Sequence, residues 1–418
     1  VIMHVTPTQT RRGRGWTLLI VCAAAYTLVM CIVVWNRAES GTDFRDFWRT
    51  ARQFRETGVI RSDLGVHNYL PFFTIFMTPW SYLPLRPAAV LFTVLSLALL
   101  ALSVVLAEVL LHGRVGDRPS RSMWISVGLM LPYATSCAVL GAMGHVLLFL
   151  TLASWFLVVR RREWLAGTTL GLAILIKLLP AVLVVYFLLQ RRWRVAAASL
   201  VTVVVLGLGS PLALLGYQET AALHAGLAQR AFQAQSARTT IYAEQPIKAN
   251  YSNVSLPIVL KRLLSPVNAS KDETHLLRVN VLDLKPNAIL VVYVLAMLLL
   301  VVPTIAVSLR TGVGRDESGG EGHLEFGLWC CMMVLCSPLV WTHYLPLVYW
   351  PLAVLSAISG LKRFSRARWT LLCWLVCAVL LVSPAARAAG APLLCVIVVW
   401  AGLLALRVSS DSTIPRTQ

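Results

Sequence analysis

The segment Gly41-Thr42-Asp43-Phe44-Arg45-Asp46-Phe47-Trp48 places two carboxylates directly after the apolar run 16–35. A carboxylate there has the chemistry of a general base: Asp43 can take a proton from an acceptor hydroxyl as that oxygen attacks carbon. The competing reading pairs Asp43 or Asp46 with Arg45 and Arg49 as surface ion pairs, or makes one of them a helix N-cap. Lys177 lies inside Leu175-Ile176-Lys177-Leu178-Leu179-Pro180, where burying its charge costs roughly 3 kcal/mol. An anionic partner such as a lipid phosphate would offset that cost; snorkelling from a short helix end would avoid it.

Three further segments carry polar or aromatic groups at the edges of apolar runs. Ser337-Pro338-Leu339-Val340-Trp341-Thr342-His343-Tyr344 offers His343 to orient an acceptor or donate to a leaving phosphate. The alternative makes Trp341 and Tyr344 interface-belt residues and His343 a satisfied polar group. Asn68-Tyr69-Leu70-Pro71 precedes a short apolar stretch in which Tyr69, Trp80 and Tyr82 suit headgroup level. In Gly144-His145 the imidazole either bonds a ligand hydroxyl or satisfies a backbone carbonyl. Asn250-Tyr251-Ser252-Asn253-Val254-Ser255, followed by Lys261 and Arg262, reads as a polar lip backed by a basic helix; Asn253-Val254-Ser255 also fits the glycosylation acceptor pattern formally. No P-loop, GxGxxG, HExxH, CxxC or GxSxG element stands in a supporting context, so nucleotide hydrolysis, dinucleotide chemistry and zinc catalysis lack support.

The elements that position these residues follow from composition. With 58% hydrophobic and 13% charged residues in 418 and a mean hydropathy of +0.73, the chain needs a bilayer as its solvent. Its net charge of +19 comes from Arg clusters between apolar runs, which marks membrane orientation rather than nucleic-acid binding. The nine cysteines mostly sit inside apolar runs and read as reduced packing residues. The run 16–35 follows Arg11, Arg12 and Arg14 as a signal peptide would, but it is long, lacks a small-residue cleavage site and is expected to persist as the first helix.

Basic clusters on the inside fix the parity of crossings between them. Arg14 and the cluster Arg114, Arg118 and Arg121 require two crossings, 16–35 and 87–111, which leaves 70–83, interrupted by Pro71 and Pro79, as a helix dipping into the outer interface. The run 164–190 has basic flanks at both ends, so it predicts two short helices meeting near Lys177 and Pro180 at the outer face. Adding 123–141, 145–159, 193–215, 288–309, 324–340, 344–361, 369–382 and 391–406 gives an all-α bundle of about 12 crossings with both termini inside. Residues 36–86 and 216–286 are then external, and the loop 310–325, with Asp316, Glu317, Glu321 and Glu325, dissents from the charge rule.

The order of these features resembles the GT-C glycosyltransferase superfamily, and within it the family-87 polyprenyl-phosphate mannosyltransferases, which include phosphatidylinositol-mannoside mannosyltransferases. The resemblance rests on Asp43-Phe44 with Trp48 and Gly58, Tyr69-Leu70-Pro71 with Pro79 and Leu83-Pro84, Ala166-Gly167 through Lys177 and Pro180, Asn253-Val254-Ser255-Leu256 with Arg262, and Ser337-Pro338 with Trp341 and His343-Tyr344. Two departures bear on substrate identity: Gly144-His145 stands where relatives often read Gly-Gln, and Leu70-Pro71 where they carry a double Pro.

The resemblance implies one GT-C-like domain over 1–418 with interfacial helices in its first external loop. It implies transfer of a hexose, mannose first, from a polyprenyl-phosphate sugar to an extracytoplasmic glycolipid or cell-envelope glycan, inverting or retaining according to the donor's anomer. Asp43 matches the superfamily's catalytic base; Lys177 would face the donor phosphate and His343 the reacting centre, with Asp46, Tyr69, His145, Asn253, Arg262, Trp341 and Tyr344 as substrate contacts. No cofactor is required on this reading, since Lys and Arg can stabilise the leaving phosphate, although Asp43 and Asp46 together could hold a divalent ion. The partners are the lipid donor, the acceptor and membrane lipids, without nucleic acid, at the plasma or inner membrane. The rival reading is a transporter or flippase built on the broken helix pair; a third is a non-catalytic scaffold.

Overall fold

The computed structural model describes residues 14–60, 69–233, 236–246, 249–271, 274–310, 320–359, 365–379 and 382–409. Arg11, Arg12, Asn68, Asp316 and Glu317, used above, lie outside these residues. In chain order the helices are α1 Arg14–Arg37, α2 Asp43–Thr57, α3 Pro71–Met77, α4 Leu85–His112, α5 Arg121–Leu140, α6 Gly144–Val159, α7 Glu163–Ile176, α8 Val182–Leu189, α9 Trp193–Gln233, α10 Ala237–Tyr242, α11 Leu256–Leu264, α12 Pro286–Arg310, α13 Gly320–Leu335, α14 Tyr349–Ser359, α15 Ser365–Val379, α16 Pro384–Ala388 and α17 Ala391–Val408. Short 3-10 turns, Thr78–Tyr82, Leu179–Ala181 and Thr342–Val348, interrupt them. Among the described residues the one β feature is an isolated antiparallel bridge between Asn253 and Trp341.

Lipid is the solvent this chain is built for. Six described helices, α1, α4, α5, α9, α12 and α17, are long and apolar enough to cross a membrane, and they leave side chains such as Leu28, Leu91, Val204, Leu295 and Leu299 on the outside, which water would not tolerate in such number. The protein is therefore an integral membrane protein with an all-α fold. The remaining apolar helices α6, α7, α8, α13, α14 and α15 are shorter. Of these, α13 is buried from His323 to Leu335. It stops earlier than the run 324–340 predicts, because Pro338 disfavours helical backbone at Ser337 and Ser337 Oγ donates to Leu339 O at 3.0 Å.

The two ends of the bundle differ in character. The expected helix pair breaks at Lys177, whose backbone is extended (φ −157°, ψ 140°), and its outer ends return to one place: Arg192 Nη1 and Glu163 Oε1 are 2.7 Å apart. Gln190 also donates to Glu325 and to Ser308 O at 3.4 Å, while Arg407 pairs with Glu321 at 3.4 Å. The dissenting acids of the 310–325 loop that lie within the described residues thus sit at the arginine-rich end, Glu321 paired with an arginine and Glu325 hydrogen-bonded by an amide. Exposed Trp124, Trp164, Trp193 and Trp369, each next to or near an arginine in sequence, belong to that same end as an interface belt. At the other end α9 kinks at Gly216 (φ 78°, ψ 175°), a conformation glycine permits, and its second half runs over residues expected to be external.

Close approach of α7 to α9 depends on small residues: a Cβ on Gly167 would overlap Val195 O and come within 2.6 Å of Ala198 Cβ. Backbone and a methyl group cannot yield, so Gly167→Ala destabilises the protein by about 1–3 kcal/mol through overpacking. Gly128, in α5, has nothing within 4 Å of its added Cβ, and Gly128→Ala is neutral or stabilising. Thermal melting of the two variants in detergent checks the contrast.

Candidate functional site

The site begins with α2. Its apolar residues Phe44, Phe47, Trp48 and Ala51 are buried and recur at helical spacing, while Arg45, Arg49 and Arg52 take other faces, so the helix lies across the end of the bundle. Thr42, not an aspartate, is the N-cap: its Oγ1 accepts from Arg45 N at 3.3 Å. Trp48 Nε1 donates to Leu83 O at 3.0 Å, and Arg55 donates to Ser81 O. Phe44 stacks into Phe92 (5.0 Å between ring centroids) and Trp80 (6.2 Å). Gly141 (φ 62°) lets the α5–α6 turn touch Phe44; a Cβ there would be 2.5 Å from Phe44 Cβ. These contacts fix the first turn of α2, and Asp43 with it.

Asp43 faces a cavity of about 400 Å³ lined by residues from eight separate parts of the chain, including Asp46, Tyr69, Leu140, Lys177, Asn250, Lys271, Trp341, His343, Tyr344 and Arg387. His343 Nε2 lies 3.3 Å from Asp43 Oδ2 but is not aligned for a hydrogen bond. Burial, reinforced by Lys177 and Lys271, lowers the His343 pKa to about 3, so the imidazole is neutral and the contact is not an ion pair. Burial raises the Asp43 pKa to about 6, against the opposing pull of Lys177 and with a smaller push from Asp46. The Lys177 ammonium sits 3.8 Å from the Tyr344 ring centre and 5.2 Å from that of Tyr69, a cation held over two aromatic faces. The two hydroxyls, Tyr69 Oη and Tyr344 Oη, are 2.8 Å apart, and burial holds the Tyr69 phenol well above its usual pKa.

The geometry sorts the candidates. Asp43, Asp46, Tyr69, Lys177, Trp341, His343 and Tyr344 share the cavity. The surface ion-pair reading describes Asp46, 3.6 Å from Arg45, and not Asp43. Three candidates do not line the cavity. His145 is fully buried, with Nδ1 2.9 Å from Ser96 Oγ, so it joins α4 to α6 rather than reaching a ligand. Asn253 Oδ1 accepts from Ser255 N at 3.1 Å and Ser255 Oγ at 2.9 Å; it holds the turn that precedes α11, and its burial to 3% exposure removes it as a glycosylation acceptor. Arg262 donates to Asn250 O at 2.9 Å and Asn253 O at 3.0 Å, which pins the cavity lip from behind and spends its guanidinium on backbone; burial lowers its pKa to about 10.

Sequence reasoning missed Lys271 and Arg387. Both stand near Tyr251, at 5.2 and 5.5 Å from its ring centre, and burial together with Arg387 and Arg37 lowers the Lys271 pKa. A signal existed: Arg387 lies between two apolar runs, 369–382 and 391–406, on the side from which basic residues are normally absent. Among the described residues no group of three His, Cys, Asp or Glu side chains is placed to hold a metal ion.

The Tyr69–Tyr344 contact joins the first loop to the 3-10 turn after α13, and its loss is measurable. Tyr69→Phe leaves the Tyr344 hydroxyl buried without that partner and costs on the order of 1–3 kcal/mol. Adding Tyr344→Phe then costs much less than it does alone, a coupling that a double-mutant cycle of detergent melting detects.

Comparison with known proteins bears on this cavity. A relative from Mycolicibacterium smegmatis, a polyprenol-phosphate-mannose-dependent alpha-(1-2)-phosphatidylinositol mannoside mannosyltransferase, is 34% identical over 235 residues, covering 50% of this chain and 53% of the relative. The protein of the same description from Mycobacterium tuberculosis is 31% identical over 169 residues, covering 37% of this chain and 39% of the relative. The chain spans about half or less of the length of these curated relatives. The crystal structure of ArnT from Cupriavidus metallidurans bound to undecaprenyl phosphate aligns with a TM-score of 0.39 at 16% identity, covering 94% of this chain and 77% of that one. The family model matches residues 67–338, well over half of the chain, and the protein therefore belongs to glycosyltransferase family 87.

Proposed function

We propose that the protein transfers a hexose, mannose in the first instance, from a polyprenyl-phosphate sugar to a hydroxyl of a glycolipid or cell-envelope glycan, with Asp43 as general base. The observation that carries this reading is the Asp43 carboxyl, raised to about 6 by burial inside a cavity that also holds Lys177, Lys271 and Arg387. A base poised near working pH is effective, and the three cations suit a phosphate leaving group. The mycobacterial relatives, named for a polyprenol-phosphate-mannose donor and a phosphatidylinositol mannoside acceptor, support the same donor and an anionic lipid acceptor here.

The step balances simply. The acceptor oxygen forms a bond to the sugar's anomeric carbon as the bond from that carbon to the phosphate oxygen breaks. Asp43 takes the hydroxyl proton, and the electron pair leaves with the polyprenyl phosphate, whose added charge faces Lys177 and the Lys271–Arg387 pair. His343 stays neutral and positions the acceptor against Asp43. A direct displacement inverts the anomeric centre, so the product's anomer follows from the donor's. The chain acts as one domain. Its arginine-rich end faces the cytoplasm by the positive-inside rule, which puts the cavity, with 36–86 and 216–286 over it, on the extracytoplasmic face of the cell membrane. The shorter helices complete about 12 crossings.

Three outcomes test this. Because the Asp43 pKa is raised, the base form is lost as pH falls through about 6; kcat/KM for transfer from polyprenyl-phosphate mannose drops tenfold per pH unit below that point, and Asp43→Asn lowers it by about 10²–10⁴ at pH 7.5 with the acid limb abolished. A flat profile in the parent, or equal transfer by the variant, removes Asp43 as the base. Transfer by the parent survives EDTA, since the protein's own cations serve the leaving group; loss restored by Mg²⁺ would assign that role to a metal.

A further inference from the structure

A second cavity, of about 600 Å³, opens between α5, the end of α14 and α15. Two stripes of side chains face each other across it. Arg121, Ile125 and Leu129 follow one another at one-turn spacing on α5, and Arg368, Leu371 and Leu375 do the same on α15. Each stripe starts with an arginine and continues apolar. Because α5 is 20 residues long and its other end, at Leu140, lines the catalytic cavity, the arginines lie about 30 Å away, one hydrocarbon thickness, at the opposite membrane interface. Trp124 and Trp369, 41% and 65% exposed, stand beside the two arginines and mark headgroup level. Arg368 Nε donates to Ser359 O at 2.8 Å, which ties the start of α15 to the end of α14 and holds that guanidinium at the mouth of the groove.

We propose that this groove binds one anionic phospholipid from the leaflet opposite the catalytic cavity, its phosphate between Arg121 and Arg368 and an acyl chain along Ile125, Leu129, Leu371 and Leu375. Charge at one end and hydrocarbon along the rest is the order in which a phospholipid presents itself, and two arginines select an anionic head over a zwitterionic one. The site is separate from the transfer chemistry and does not rest on the assignment of Asp43.

The test is native mass spectrometry of the full chain, released from detergent with dioleoyl-phosphatidylglycerol or dioleoyl-phosphatidylcholine. The parent retains one phosphatidylglycerol at about tenfold lower concentration than phosphatidylcholine. Arg121→Gln with Arg368→Gln abolishes that preference for one lipid while sugar transfer is unchanged, and Arg121→Lys with Arg368→Lys keeps it. Leu375→Trp, which fills the groove and leaves both charges, also loses the retained lipid and guards against a poorly folded double variant. Equal retention of the two lipids by the parent, full preference in the Gln variant, or displacement of the phosphatidylglycerol by polyprenyl phosphate overturns the proposal.

Discussion

Hydrocarbon offers no hydrogen-bond partner to a broken helix, so irregular backbone at membrane depth survives only where protein buries it or a cavity wets it. This chain breaks its helices repeatedly, at Gly141–Met143, at Lys177 and from Ser337 to Trp341, and the breaks gather around one cavity. The break after α13 is satisfied from elsewhere in the chain, with Val254 N donating to Val340 O at 2.7 Å and Thr342 N to Ser252 O at 3.0 Å, whereas the other two close locally, Ala142 N on Cys137 O and Lys177 N on Ala173 O, each at 3.0 Å. Gly144 allows the α6 start to sit against the His343 carbonyl, where a Cβ would come within 2.5 Å. Lys177 and Trp341 stand at two of these breaks and face the cavity, which Asp43 enters from the first turn of α2.

The same packing sets the electrostatics. Lys177 lines the cavity because its own helix ends at Ile176, and its ammonium lies over the aromatic faces of Tyr344 and Tyr69. Asp43 shares its field yet remains difficult to ionise, because desolvation outweighs the Lys177 attraction. Neutral His343, 3.3 Å away, adds a polar contact without competing for the proton. The cavity therefore gathers positive charge around a carboxyl whose affinity for a proton has been raised.

Much of this was legible in the sequence. Charge parity alone predicts that the run 164–190 folds back at Lys177, and the Arg192–Glu163 contact shows its ends together. Parity also brings 36–86, Lys177, the stretch 216–286 and His343 to one end, where the cavity lies. What stayed hidden depends on contacts across the chain. Nothing local distinguishes Arg262, spent on loop carbonyls, from Arg387, which lines the cavity; each is a basic residue in the last turn of a short helix. His145 and Asn253 look exposed from their place at run edges, but neighbouring elements bury them. Hydropathy likewise cannot tell a lipid-facing helix such as α12 from α13, which the protein itself encloses.

The most direct test separates donor binding from transfer. Purified parent and Asp43→Asn protein in liposomes are loaded with labelled polyprenyl-phosphate mannose, the bound fraction is measured, and a single turnover is started by adding extracted envelope lipids as acceptor. The account predicts donor binding within a few-fold of the parent for Asp43→Asn and a transfer rate lower by about 10²–10⁴, since the carboxylate acts on the acceptor proton and not on the donor phosphate. Loss of donor binding with transfer unchanged per bound donor would contradict it, and so would transfer at the parental rate.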